Sequence, residues 1–175
     1  MEVTNEKRRR IKISDNVLRD AAGQGMDAFI RVFTDAIYES IGGRLTQETM
    51  GELNSDQITL LAYAALRDEV MDGGFVQLIY NGYGAFIFCN PFGKAVRNWG
   101  LRDLYRLVRK VRPLYFMHRE EIERECTDEE FMALFERFSD FDEFDDDFVA
   151  CEEEWTEAVA RYMDEHIENF AEIVV

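Results

Sequence analysis

The sequence predicts an all-α fold, a single-domain multi-helix bundle with a long acidic C-terminal helix. Three observations predict it. Apolar residues recur at helical spacing in six separate stretches. Only two prolines, Pro91 and Pro113, interrupt the 175 residues. Hydrophobic residues make up 47% of the chain, fourteen of them phenylalanine, enough to bury a core in a chain of one-domain size. Residues 1–13 read as a basic, flexible N-terminal arm carrying Lys7, Arg8, Arg9, Arg10 and Lys12. Residues 14–175 read as one helical domain, acidic in 113–175.

In chain order, Phe29, Phe33, Ala36, Ile37 and Ile41 define a core-facing helix from Met26 that Gly42 and Gly43 stop. Asn54 and Ser55 can cap a second helix, with Ile58, Leu61, Ala62 and Ala65 in its stripe and Gly73 and Gly74 at its end. Residues 75–88 are ambiguous. Residues 76–80, then Asn81 and Gly82, then 83–88 match a hairpin with a two-residue turn, and the residue pattern alone leans towards strands. Leu101, Leu104, Tyr105, Val108 and Val111 then form one helical face, with Arg102, Arg106 and Arg109 on another and Lys94, Arg97, Lys110 and Arg112 nearby. Pro113 breaks that pattern and can open a new helix carrying Leu114, Met117, Glu121 and Ile122. Thr127 and Glu130 form a capping box ahead of Phe131, Leu134, Phe135 and Phe138. The final helix is predicted from about Asp145 to Glu172, about 42 Å long at 1.5 Å per residue. Phe144, Phe148, Cys151, Trp155, Val159, Tyr162 and Phe170 line one of its faces.

Charge is the outstanding property, with a net −16 from 36 acidic and 20 basic residues. Residues 113–175 hold 22 of the acids and only four bases, so the whole imbalance belongs to the last third. An asymmetry of this kind bears on partners more than on fold. Cys89, Cys126 and Cys151 have no CxxC spacing, which suits a reducing compartment and buried thiols better than a disulfide or zinc framework. No apolar stretch follows the Lys7–Lys12 run and none reaches membrane-spanning length, so the expected location is the cytoplasm, without membrane association.

Nine carboxylates lie between Asp140 and Glu154 with no base among them: Asp140, Asp142, Glu143, Asp145, Asp146, Asp147, Glu152, Glu153 and Glu154. Further on, Glu157, Asp164 and Glu168 continue a row begun by Asp146 and Glu153, spaced so that all five share one helix face opposite the apolar stripe. The predicted helix carries about one net negative charge per 4 Å, against a phosphate about every 3.4 Å along one DNA strand. A solvated helix face is the ordinary explanation of acidic helices. Here no lysine follows the acids at i, i+4, and Asp164, Glu165, Glu168 and Glu172 sit where the helix dipole disfavours them. Neither consideration of helix stability accounts for the acids, which points to a binding surface.

Catalytic and metal readings are weaker. His118 and His166 lie on different predicted helices without a ligand partner at metal spacing. A calcium loop starting at Asp140 would place Phe144 and Cys151 at ligand positions and has no glycine at the sixth. The glycines form no phosphate-binding fingerprint. No enzyme activity, cofactor or metal is expected.

The residues Asp72, Gly73, Gly74, Phe75 and Gln77, then Asn81, Gly82, Tyr83 and Gly84, then Asn90, Pro91, Phe92, Lys94, Ala95, Arg97, Trp99 and Gly100, resemble a bacterial family of DNA-mimic proteins. The likeness runs from about residue 50 to 172. Its GGFxQ and NPFxKA motifs name no chemistry. The resemblance implies an all-helical fold, with 73–81 helical despite the hairpin signal. It also implies that acidic surface residues, often presented by a dimer, occupy the DNA groove of a DNA-binding protein. In this chain that role falls on the nine carboxylates from Asp140 to Glu154 and on Glu157, Asp164 and Glu168. The expectation is therefore a homodimeric DNA mimic that blocks a transcription regulator or nucleoid protein and does not itself bind nucleic acid. The alternative is an acidic interaction or immunity-type module whose partner does not bind DNA. The basic arm and the Arg102–Arg112 helix make any mimic surface one-sided.

Overall fold

The computed structural model describes residues 10–175. These form ten α-helices and two short strands, so the fold is all-α as expected. Their contacts divide them into two compact units, one of residues up to Leu61 together with Thr156–Val175, the other Ala62–Trp155.

In the first unit, strand β1 (Lys12–Ser14) pairs in parallel with β2 (Glu172–Val174), placing Ile13 opposite Ile173. Residues 11–13, read from sequence as part of a loose arm, are thus ordered, with Ile11 and Ile13 buried. Residues 1–9 of that arm lie outside the described residues. Helix α1 (Asp15–Gln24) leads into α2 (Met26–Ser40), which ends where Gly42 and Gly43 take positive φ, as the glycine pair suggested. Phe33 of α2 is fully buried, edge-on to both Phe29 and Phe170. After the short α3 (Gln47–Met50), α4 (Ser55–Tyr80) begins at a reciprocal cap. The Asn54 side chain accepts from the Gln57 N–H at 2.9 Å, and the Gln57 side chain accepts from the Asn54 N–H at 3.0 Å. The same two amides donate outward, Asn54 to the Asn169 carbonyl at 2.7 Å and Gln57 to the Phe170 carbonyl at 3.0 Å.

Those two bonds bear on a correction at the C-terminus. The helix expected to run to Glu172 stops at Glu165, and α10 (Ile167–Phe170) and then β2 follow. Helix propensity loses to tertiary bonding here. The carbonyls of Asn169 and Phe170 are taken by the α4 cap, and the Glu172 N–H donates to the Ile11 carbonyl at 2.8 Å.

In the second unit α4 continues but is broken at Gly73 and Gly74, and the helix resumes at Phe75. It is followed by α5 (Gly84–Phe88), α6 (Phe92–Asn98), α7 (Arg102–Ile122) and α8 (Asp128–Arg137). A 3-10 turn (Ser139–Phe141) then leads into α9 (Asp142–Glu165). The core gathers Phe75, Phe88, Tyr115, Phe141, Phe148 and Trp155. The capping box at Thr127 and Glu130 forms as read, with bonds of 3.2 and 2.9 Å.

Two local signals mislead in this unit, although the helix at 73–81 implied by the resemblance forms, with its break at Gly73 and Gly74. The hairpin signal at 75–88 is helical, because Phe75, Val76, Leu78 and Ile79 are buried together at helical rather than alternating spacing. Asn81 and Gly82 are a helix terminus and not a hairpin turn. The Tyr83 N–H reaches the Leu78 carbonyl and the Gly82 N–H the Ile79 carbonyl, with Gly82 at φ 87°. Pro113 does not divide α7. It lies on the exposed side together with Arg109, whose carbonyl it leaves without an amide, while Val111 and Tyr115 hold the helix to the core.

Replacing Asn54 by Ala removes the α4 cap and leaves the Asn169 carbonyl without its donor. Urea unfolding of Asn54→Ala is expected to show a loss of about 1–2 kcal/mol, whereas Asn90→Ala, at an exposed loop position with one bond of 3.3 Å, should stay within about 0.5 kcal/mol of the parent.

Candidate functional site

Helix α9 carries the acidic run, and its amphipathic rotation decides what each carboxylate does. Phe148 and Trp155 are buried seven residues apart, one face of the helix, and the Phe141 side chain precedes them at the same interval. Asp142, Glu143, Asp146, Asp147, Glu153 and Glu154 are exposed on the other side, as is Asp140 in the preceding turn. At about 100° per residue the six helical acids fall into two rows, Asp142, Asp146 and Glu153 in one, Glu143, Asp147 and Glu154 in the other. In the unit that holds the chain's C-terminus, Glu157, Asp164 and Glu168 are also exposed, the first paired with Arg161 at 2.7 Å and the last on α10.

Asp145 and Glu152 turn inward instead. They too lie seven apart, on the side of Phe148 and Trp155. Glu152 accepts from Arg67 Nε at 2.5 Å in a largely buried ion pair. Asp145 accepts the Phe75 N–H at 2.8 Å, capping the helical segment that restarts after the α4 break. Gly74 makes that approach possible. Its φ is +75°, and a Cβ there would lie 2.3 Å from an Asp145 carboxylate oxygen. Gly73 is constrained in a similar way, since a Cβ would meet the Gln77 side chain at 2.0 Å. Gln77 itself donates to Asp72 at 2.8 Å and Glu69 at 3.1 Å, and Asn81 donates to Glu69 at 2.7 Å. The Asp72-Gly-Gly-Phe-x-Gln motif and Asn81 thus brace a broken helix around the Asp145 carboxylate.

Burial pushes the Asp145 carboxyl up to about 6, against the Phe75 N–H, which favours its charged form, while Asp142 and Asp146 push the same way as burial. Burial also raises the Cys151 thiol, and Glu154, Asp103 and Asp147 add to it. The local field is negative even at the half-buried side of the helix. None of the three thiols is buried as expected: Cys89 is exposed, and Cys126 and Cys151 are half-buried.

His118 packs between the rings of Phe138 and Phe141, at centroid distances of 4.8 and 6.2 Å, with Asp140 at 3.8 Å from its Nε2. His166 stacks on Tyr162 at 4.1 Å. Among the described residues no group of three or more His, Cys, Asp or Glu is placed to hold a metal ion, and no helix is long and apolar enough to cross a membrane. Sequence reasoning missed Arg67 as the partner of Glu152, since 85 residues separate them and only the fold brings them together.

The family described as DMP19-like protein has a model that matches residues 51–166, a span containing the α4 break and all of α9. The DNA mimic protein DMP19 of Neisseria meningitidis serogroup B is 33% identical over 127 residues, covering 72% of this chain and 77% of that protein.

The raised Asp145 carboxyl has a pH consequence. A folded value of about 6 lies above its ordinary 3.8, so the folded state holds this proton more tightly than the unfolded chain. Its contribution to stability is full below the ordinary value and is lost as pH rises through about 6. Asp145→Asn keeps an acceptor for Phe75 without a titrating charge. Denaturation midpoints of this variant are expected to lie above the parent's at pH 7, and the fall in stability that this group causes between 3.8 and about 6 should vanish. Gly74→Ala should be destabilised by about 1 kcal/mol or more, because both its φ and its space are denied.

Proposed function

The chain belongs to the DMP19-like protein family, and on that footing we propose that it is a DNA mimic, binding a DNA-binding protein through the exposed carboxylates of α9 and keeping it from DNA. The observation that carries this reading is the pair of exposed acidic rows. Six carboxylates between Asp142 and Glu154 occupy about 20 Å of helix, about one per 3.3 Å, close to the phosphate interval of a single DNA strand at about 3.4 Å. No base lies among them to neutralise the field. Buried aromatic residues on the opposite face fix the helix in place, so the charges are presented by a rigid element. The relative from Neisseria carries the DNA-mimic description in its name, which supports transfer of the role.

A transcription regulator or nucleoid protein supplies the chemistry such a face needs, lysines and arginines arranged to meet phosphates. Carboxylates replace the phosphates, the partner's DNA face is occupied, and DNA is excluded. A homodimer would present two such faces, one for each strand. The chain acts by binding and catalyses nothing, and its own negative field keeps it from nucleic acid.

The test uses the tagged full chain to capture its partner from a lysate of the cells that make it, with duplex DNA then added. Release of the captured protein by DNA is expected. Asp146→Asn, Asp147→Asn, Glu153→Gln and Glu154→Gln together should reduce capture at least about tenfold while leaving the helical circular dichroism intact, since all four are exposed. The matched control neutralises Asp20, Asp35, Glu39 and Glu48, equally exposed and far from the run in sequence, and should change capture little. Equal losses in both sets would reduce the effect to net charge, and a captured protein indifferent to DNA would establish the interaction-module reading in its place.

A further inference from the structure

The basic side of the second unit has no role in the function proposed above, yet it is built. Between Lys94 and Arg112 the sequence places seven bases and one acid, in a chain of net charge −16. Arg106 pairs with that acid, Asp103, at 2.9 Å. Lys94, Arg97, Arg102, Arg109, Lys110 and Arg112 form no ion pair among the described residues. Like charges gathered without counter-charges repel, and an anion bound among them relieves that repulsion.

The cations surround a cavity. α5, α6 and α7 enclose a half-open volume of about 310 Å³, with Lys94, Arg109 and Arg112 in its wall beside Asn90 and Tyr105. The guanidinium groups are held in place. Those of Arg97 and Arg109 lie over the Tyr105 ring at 5.1 and 5.6 Å, and that of Arg112 lies over Phe116 at 5.2 Å while its Nε donates to the Phe88 carbonyl at 3.0 Å. None of these partners consumes the positive charge, and the terminal nitrogens of Arg112 remain available to an oxyanion.

We propose that this cavity is a binding site for a small phosphorylated ligand carrying at least two negative charges. Three converging cations exceed what one carboxylate neutralises, and fork-shaped guanidinium groups beside a point-charge lysine suit the several oxygens of a diphosphate. The volume is that of a small-molecule site, at the lower end of the usual range of about 300–1,000 Å³. A nucleic-acid chain or an acidic polypeptide must approach the −16 molecule along its length, whereas a diphosphate needs only the cavity. A free diphosphate and a nucleoside diphosphate share the chemistry recognised.

The experiment is calorimetric titration of the full chain with inorganic pyrophosphate, repeated with ADP and with citrate as a non-phosphate trianion. Saturable one-site binding of pyrophosphate is expected, with citrate weaker by about tenfold or more. ADP binding more tightly than pyrophosphate would identify the nucleotide as the fuller ligand, and equal affinity the diphosphate alone. Arg109→Gln with Arg112→Gln should weaken binding at least about tenfold, and the control pair Arg31→Gln with Arg44→Gln should not. Lys94→Gln, which loses no hydrogen bond or ion pair, keeps the question decidable if the arginine pair fails to fold, and should weaken binding severalfold. Cys89 lines the same cavity and is exposed, so pyrophosphate should slow its alkylation and leave that of Cys126 unchanged. The proposal is overturned by absence of saturable pyrophosphate binding in the millimolar range, by citrate binding as tightly, by equal losses in the control pair, or by binding of duplex DNA or polyglutamate alone.

Discussion

A helix that restarts inside a packed unit exposes amide hydrogens that must find an acceptor. In α4 that restart is at Phe75, and the acceptor is the Asp145 carboxylate, brought from 70 residues away. This contact accompanies the rotation of α9 that its buried aromatic residues fix. With Asp145 turned towards Phe75, the residues that share its side, Phe148, Glu152 and Trp155, also turn inward, and the carboxylates between them are left outside. The two glycines before Phe75 leave room for the carboxylate, and Gln77, Asn81, Glu69 and Asp72 tie the break together. The bond at the buried face and the acids on the exposed one therefore belong to a single orientation of the helix.

The energetics explain how so much like charge is tolerated. Pairs such as Asp142 with Asp146 and Glu143 with Asp147 cost a few tenths of a kcal/mol each at exposed i, i+4 positions. Burying Phe141, Phe148 and Trp155 is worth about 1.5–3 kcal/mol apiece. Apolar burial is larger than the repulsion, and the acids at the start of α9 are further favoured by the helix dipole. A surface of this density is affordable because its aromatic back is secure, and nothing in helix stability requires it.

Much of this was legible in the sequence. The 3.6-residue spacing of apolar side chains located the helices around Phe33, Leu104 and Phe148, and the Thr127–Glu130 box marked the start of α8. The acidic run was plain from composition alone. What escaped was set by distant contacts. Asn81 and Gly82 carry the same local signal for a hairpin turn as for a helix end, and only the burial of Phe75, Val76, Leu78 and Ile79 together separates them. The end of α9 depends on side-chain amides of Asn54 and Gln57, more than 100 residues upstream. Asp145 and Glu152 looked like their exposed neighbours, although their seven-residue spacing in phase with Phe148 and Trp155 was available as a sign that they face inward.

The central claim is that carboxylates on α9 stand where phosphates would stand on a partner's DNA-binding face. Competition measures this most directly. With the captured partner bound to a labelled duplex, unlabelled chain should displace the duplex completely, and the apparent dissociation constant for DNA should rise linearly with chain concentration without limit. Both affinities should fall with added salt, since each depends on the same basic residues of the partner. A plateau in the apparent constant, or a ternary complex of chain, partner and duplex, would place the acidic face elsewhere on the partner and contradict the account.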